Sequence, residues 1–225
     1  MEVNKFTDYY RIGGIGGIKS GNRQFNSDIQ RSICVNLDKK LIFYKPGKCA
    51  GTSMYRRVLE PRGGWMHQKD YGKKFSDWMD QITDKEWEGY FSFIFVRNPF
   101  ARLVSCWNTI ARHIPFKEYV KSGIIVNDVP KILHYQTQCS LLETPDLSYK
   151  TNVDFIGKVE NIDEDWKKLC SITGISYTPL PRAKSNGGRG GTYPNYTTFY
   201  DDESREIVEK MYARDLEMFN YKFGN

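Results

Sequence analysis

Cysteine is scarce and shows no pairing pattern: Cys34, Cys49, Cys106, Cys139 and Cys170 lie far apart and never form a CxxC pair. An odd, scattered set supports neither a disulfide framework nor a zinc site. Histidine is scarcer still, with only His67, His113 and His134, so no His/Cys cluster suggests a metal, and none is expected. No stretch approaches the roughly 18 apolar residues of a membrane span. The N-terminal MEVNKFTDYYRIGG lacks the apolar core of a signal peptide, and the chain is expected to be cytoplasmic. Charge of neither sign dominates: 33 basic against 27 acidic residues leave +6, which suits an anionic ligand as well as it suits nucleic acid. What is abundant is apolar and aromatic. At 225 residues, 40% hydrophobic and 15% aromatic, the chain can bury one sizeable core, which excludes a disordered protein and favours one domain.

Glycines crowd residues 11–24 (RIGGIGGIKSGNRQ), but no strand-like run precedes them and no helical pattern follows, so a dinucleotide fingerprint is not supported. A flexible arm over 1–32, ahead of a domain over 33–225, is the reading. Leu41–Tyr44 (LIFY) is a short apolar run closed by Pro46-Gly47, expected as a buried strand. TSMYRRVLE follows with helix formers and Thr52 or Ser53 as N-cap. The same logic recurs at Phe91–Val96 (FSFIFV), followed by Arg97-Asn98 and a helix with Pro99 in its first turn. Between them, 62–90 is polar, with helices expected near 73–80 and from Asp84. A third strand is expected at Val153–Gly157, then an acidic-first helix from Asn161 or Asp163 through Cys170. Residues 182–194 form a basic glycine-rich loop, and an amphipathic helix runs from Asp201 with Ile207, Val208, Met211, Leu216 and Phe219 on its apolar side. Alternating β and α predicts a single α/β domain with a mainly parallel central sheet flanked by helices.

The strand-loop-helix over PGKCAGTSM would direct backbone N–H groups and a helix N-terminus at one anion. A nucleoside-triphosphate loop reads GxxxxGK(S/T), yet Thr52 stands where its lysine belongs, and a lysine appears earlier, at Lys48. The second corner sets Arg97 at a strand end, suited to paired hydrogen bonds with a phosphate dianion. Ser105 lies two helical turns on. Arg102 of the same helix reads as a surface residue.

These two motifs resemble those of sulfotransferases that use 3′-phosphoadenosine-5′-phosphosulfate (PAPS). PGKCAGTSM is similar to the family's PKTGGTS loop, with Gly47 inserted and Cys49-Ala50 in place of the commonest residues. FIFVRNPFARLVSCW is similar to its second signature, an arginine and a serine eight positions apart. The resemblance spans residues 41–222, including NVDFIGKVENIDEDWKKLC and the terminal YARDLEMFNYKF. It implies a P-loop-like sulfotransferase fold and transfer of a sulfuryl group from PAPS to an acceptor hydroxyl, of a carbohydrate by family preference, leaving 3′-phosphoadenosine-5′-phosphate (PAP). It further implies Lys48 as the catalytic lysine, Cys49, Ala50, Gly51, Thr52 and Ser53 around the 5′-phosphate, and Arg97 and Ser105 at the 3′-phosphate. Lys184, Ser185 and Arg189 fall in the glycine-rich loop near the nucleotide. Many animal carbohydrate sulfotransferases sit in the Golgi, so the resemblance makes a cytoplasmic chain a bacterial or viral type, or a trimmed piece of an anchored one.

An acceptor hydroxyl must lose its proton, and imidazole suits that role. His67, in GGWMHQKD, resembles the base histidine of related polysaccharide sulfotransferases. The residues alone equally allow a surface histidine beside Trp65 and Met66. His113 reads as a helix C-cap and His134 has no assignment. A P-loop kinase would need a lysine beside Gly51 and a magnesium-binding acid at a strand end, and neither is found. A non-catalytic module for nucleic acid or an anionic polymer would carry its basic residues in a stripe; here they sit in discrete motifs, and no nucleic-acid partner is expected. Acceptor-binding segments fall at 62–82 and 113–150, which no motif indexes.

Overall fold

A computed structural model of the chain describes residues 32–121, 132–142, 152–181 and 195–225. Residues 1–31 of the expected arm and the segment carrying Lys184, Ser185 and Arg189 lie outside the described residues.

Five strands form one sheet in the order β3-β1-β2-β4-β5: β1 (Ile33–Asn36), β2 (Leu41–Tyr44), β3 (Trp65–His67), β4 (Phe91–Val96) and β5 (Phe155–Lys158). β4 runs parallel to β2 and to β5, whereas β1 is antiparallel to both β2 and β3. Four strands therefore share a direction and β1 alone opposes them. Neither β1 nor β3 is expected from the sequence. Both are short, and a three-residue strand such as WMH carries too little period-2 pattern to announce itself. β5 begins two residues later than the sequence suggests.

Side chains alternate across the pleat, so β2 and β4 feed two cores. Phe43, Phe93 and Phe95 face α1 (Thr52–Leu59) and α7 (Ile162–Thr173), while Ile42, Tyr44, Ile94 and Val96 face the opposite layer. That layer includes α2 (Gln68–Gln81), α3 (Asp84–Glu88) and residues of α9 (Ala213–Met218). Burial on both faces accounts for the unbroken apolar runs LIFY and FIFV. Phe43 and Phe93 stack across the parallel pair with centroids 4.8 Å apart. At Gly157 a Cβ would collide with the Phe95 ring, so this register demands glycine.

A third core joins α4 (Pro99–Ile110), α5 (Phe116–Lys121) and α8 (Asp202–Met211) around Phe100, Val104, Tyr119 and Val208, and α6 (Ile132–Tyr135) contributes Tyr135. Pro99 occupies the first turn of α4, as expected, behind Asn98, whose side chain accepts from the Phe100 N–H. Three local expectations are corrected. The N-cap of α1 is Gly51, not Thr52 or Ser53, and no side chain caps it. The last amphipathic run breaks at Tyr212 into α8 and α9; α8 opens on Asp201 in a capping box with Ser204. α4 ends at Ala111, leaving His113 exposed beyond its C-cap. Among the described residues no helix is long and apolar enough to cross a membrane.

Candidate functional site

Adjacent parallel strands deliver adjacent loops. Tyr44 of β2 and Ile94 of β4 are register partners, so the loop 45–51 and the corner at Arg97 leave the same sheet edge side by side, at the carboxyl ends where open α/β sheets hold ligands. Lys48 and Arg97, 49 positions apart in sequence, thereby share one site.

The loop is tightly wound. Lys48 (φ 68°) and Ala50 (φ 58°) both adopt the left-handed region without being glycine. Such conformations cost about 1–3 kcal/mol each and cluster at ligand clamps. At Gly51 the constraint is space: a Cβ would come within 2.5 Å of the Lys45 side chain. α1 has π-type bonding, and at its C-terminal end the Glu60 N–H donates to the Tyr55 carbonyl five residues back, whereas at its start the Met54 N–H donates to the Ala50 carbonyl four residues back. Among the described residues the N–H groups of Gly51, Thr52 and Ser53 have no acceptor, and the Thr52 and Ser53 hydroxyls cap nothing. Donors are thus gathered at one helix start.

Lys48 turns toward α4, where its Nζ donates to Thr109 Oγ1 at 2.7 Å. Thr109 in turn donates to the Ser105 carbonyl at 2.9 Å, which places Ser105 one helical turn from the lysine contact. Burial lowers the Lys48 pKa from the ordinary lysine value, and Arg97 adds in the same direction. Arg97 is 5% exposed, yet no carboxylate among the described residues pairs with its guanidinium. Burial lowers its pKa as well. The charge of Glu160 opposes that shift, but no carboxylate is in ion-pair contact, and a buried cation is costly unless it is paired.

Arg102 corrects the sequence reading outright. It is 1% exposed rather than at the surface. Its Nε donates to the Gly47 carbonyl (2.9 Å) and its Nη2 to the Gln136 carbonyl (2.6 Å), tying the loop 45–51 to the segment after α6. Gln138, from the same segment, contacts Cys49 and Arg97 through its carboxamide, with Asp215 behind it. None of these roles shows in the sequence, although the polar HYQTQ run inside a buried neighbourhood was a signal.

His67 ends β3 at the same sheet edge, two strands from β2, about 10 Å across the sheet. It is 4% exposed, which removes the surface-histidine alternative. Its Nδ1 lies 3.4 Å from Asp70 Oδ2, and its ring packs 5.3 Å from that of Tyr55. Burial alone would raise the Asp70 pKa, but the Arg56 hydrogen bond (2.8 Å) and the charges of Arg56 and His67 hold it below the ordinary carboxylate range. His134 belongs to α6, and its carbonyl accepts from Cys106 Sγ at 2.8 Å and from Arg102 Nη2 at 3.4 Å. Among the described residues no group of three His, Cys, Asp or Glu side chains is arranged to hold a metal.

The profile of the sulfotransferase family matches residues 26–222. Carbohydrate sulfotransferase 11 of Mus musculus is 25% identical over 244 residues, covering 87% of this chain and 68% of that protein, and its Rattus norvegicus counterpart gives the same figures. An uncharacterized protein of Archaeoglobus fulgidus is 34% identical over 105 residues, 44% of this chain and 81% of its own. No solved structure matches. A match over nearly the whole chain, together with two strand-to-helix corners opening on one edge of a largely parallel sheet, makes this chain a member of the sulfotransferase family.

Proposed function

We propose that the chain transfers the sulfuryl group of PAPS to an acceptor hydroxyl, with a carbohydrate as the acceptor class named for its mouse and rat relatives. The observation that carries this reading is Arg97, a buried cation lacking a carboxylate partner, facing the same edge as a helix start with unused donors. Two anion sites side by side fit a nucleotide phosphorylated at both ends, and a triphosphate fits less well because Thr52 replaces the lysine that would follow Gly51.

PAPS, when bound, supplies a sulfuryl group activated by its phosphate leaving group. Gly51, Thr52 and Ser53 hold the 5′-phosphate through N–H and hydroxyl donors, with Cys49 and Ala50 shaping the turn. Arg97 and Ser105 hold the 3′-phosphate. Lys48 places an ammonium where negative charge develops on the leaving oxygen, a contribution of about 3–4 kcal/mol in comparable single-donor deletions. His67 accepts the hydroxyl proton at Nε2, and Asp70 keeps the Nδ1 proton in place and stabilises the resulting imidazolium. Lys184, Ser185 and Arg189 are proposed as further nucleotide contacts.

The test is transfer of radiolabelled sulfate from PAPS to a panel of oligosaccharides, lipids and phenols, with Lys48→Ala as the blank. Labelled oligosaccharide from the native chain alone supports the reading. Incorporation that is equal in the blank contradicts it.

A further inference from the structure

An amide side chain has two acceptor positions and two donor hydrogens, and a fully buried one is stable only when these are used. Gln138 is 0% exposed and uses all four. Its Oε1 accepts from the Arg97 N–H at 2.8 Å and from Cys49 Sγ at 3.0 Å. Its Nε2 donates to the Arg97 carbonyl at 2.9 Å and to Asp215 Oδ2 at 3.2 Å. This pattern fixes the orientation of the amide, because a flipped one would set its NH2 against the Arg97 N–H. Asp215, also 0% exposed, accepts from the backbone N–H groups of Gln138 and Cys139, both at 2.8 Å. One side chain from the 136–139 segment thus reaches both phosphate corners at once, and its other side is anchored on α9.

The spacing of the 3′- and 5′-phosphates is fixed by the ribose that carries them. Two anion sites bind such a ligand better than either end alone only if they stand at the matching separation before it arrives. We propose that Gln138, anchored by Asp215, is a positioning residue that sets the separation between the phosphate loop and Arg97, and so sets the preference for an adenosine phosphorylated at both ends. This rests on the reading of the two corners as phosphate sites.

The test compares the affinities of PAP, adenosine 5′-monophosphate and adenosine 3′-monophosphate by calorimetry in the whole chain and in Gln138→Met, Cys49→Ala and Cys49→Ser. The quantity read is the gain in affinity of PAP over the 5′-monophosphate. Gln138→Met should cut that gain about tenfold or more while changing 5′-monophosphate binding by less than about threefold. Cys49→Ala should reduce it less, and Cys49→Ser, which keeps a donor toward Oε1, should preserve it. An unchanged gain in Gln138→Met overturns the proposal, as does equal weakening of all three nucleotides, the mark of a merely loosened fold. Should Gln138→Met fail to fold, the Cys49 pair decides, and an unchanged gain in Cys49→Ala overturns it. A native chain that gains nothing from the second phosphate overturns the site reading itself, and this proposal with it.

Discussion

The Arg97 corner and the His67 edge lie on the same rim of the sheet but are finished differently. At His67 the charges are matched: Asp70 lies between the imidazole and Arg56, and Arg56 also reaches Glu60 at 2.6 Å. At Arg97 the backbone N–H and carbonyl are both bonded to the Gln138 amide, and among the described residues no carboxylate is in ion-pair contact with the guanidinium. A completed set of charges holds a side chain in a chosen protonation state and orientation, whereas an uncompleted one waits for a ligand. Under the proposed function, the difference separates proton handling from anion binding.

Three substitutions sharpen that contrast. The largest effect is expected at the matched end: His67→Ala should lower the turnover rate by about 10²–10⁴ with PAP affinity retained, as measured by steady-state kinetics beside calorimetry. Full activity in this variant would move the base elsewhere. Lys48→Ala should lower turnover by about 10²–10³, again with little change in PAP binding, in the same assays. Arg97→Met should abolish measurable PAP binding and yet raise the melting temperature of the unliganded protein by about 2–4 °C, since roughly 1 kcal/mol of uncompensated charge burial is removed. A fall in melting temperature would mean that Arg97 serves the fold.

A smaller effect concerns pH. In the proposed mechanism Lys48 acts as the charged ammonium, and burial lowers its pKa, so activity should be present below that pKa and lost as pH rises through it. The alkaline limb of kcat/KM should therefore lie below the pH at which a solvated lysine titrates, and it should disappear in Lys48→Arg, whose side chain stays charged. A limb that persists in Lys48→Arg would assign the titration to another group.

Much of this arrangement was legible in the sequence because it is local. LIFY and FIFV are buried on both faces, so they show as unbroken apolar runs, and each is followed directly by its loop and helix. Lys48 and Arg97 are visible because the loop motifs are contiguous. What was not legible depends on distant parts of the chain. β1 and β3 gain their identity only by pairing with one another and with β2. Arg102 reads as a surface residue in a helical pattern, and its burial follows from carbonyls at Gly47 and Gln136 that only the fold brings within reach. Gln138 and Asp215 are 77 positions apart and meet through the docking of α9, which no periodicity reports. Thr52 and Ser53 pattern as caps, but Gly51 takes the N-cap position and no side chain caps the helix.

The central claim is that two strand-to-helix corners hold opposite ends of one doubly phosphorylated adenosine. Thermal unfolding of the native chain and of Arg97→Met, each with PAP and with ATP plus magnesium, tests it most directly. The account predicts a PAP-dependent rise in melting temperature in the native chain, none in Arg97→Met, and a smaller response to ATP in either. Stabilisation by ATP and magnesium without any by PAP, or a PAP response that survives the loss of Arg97, would contradict it.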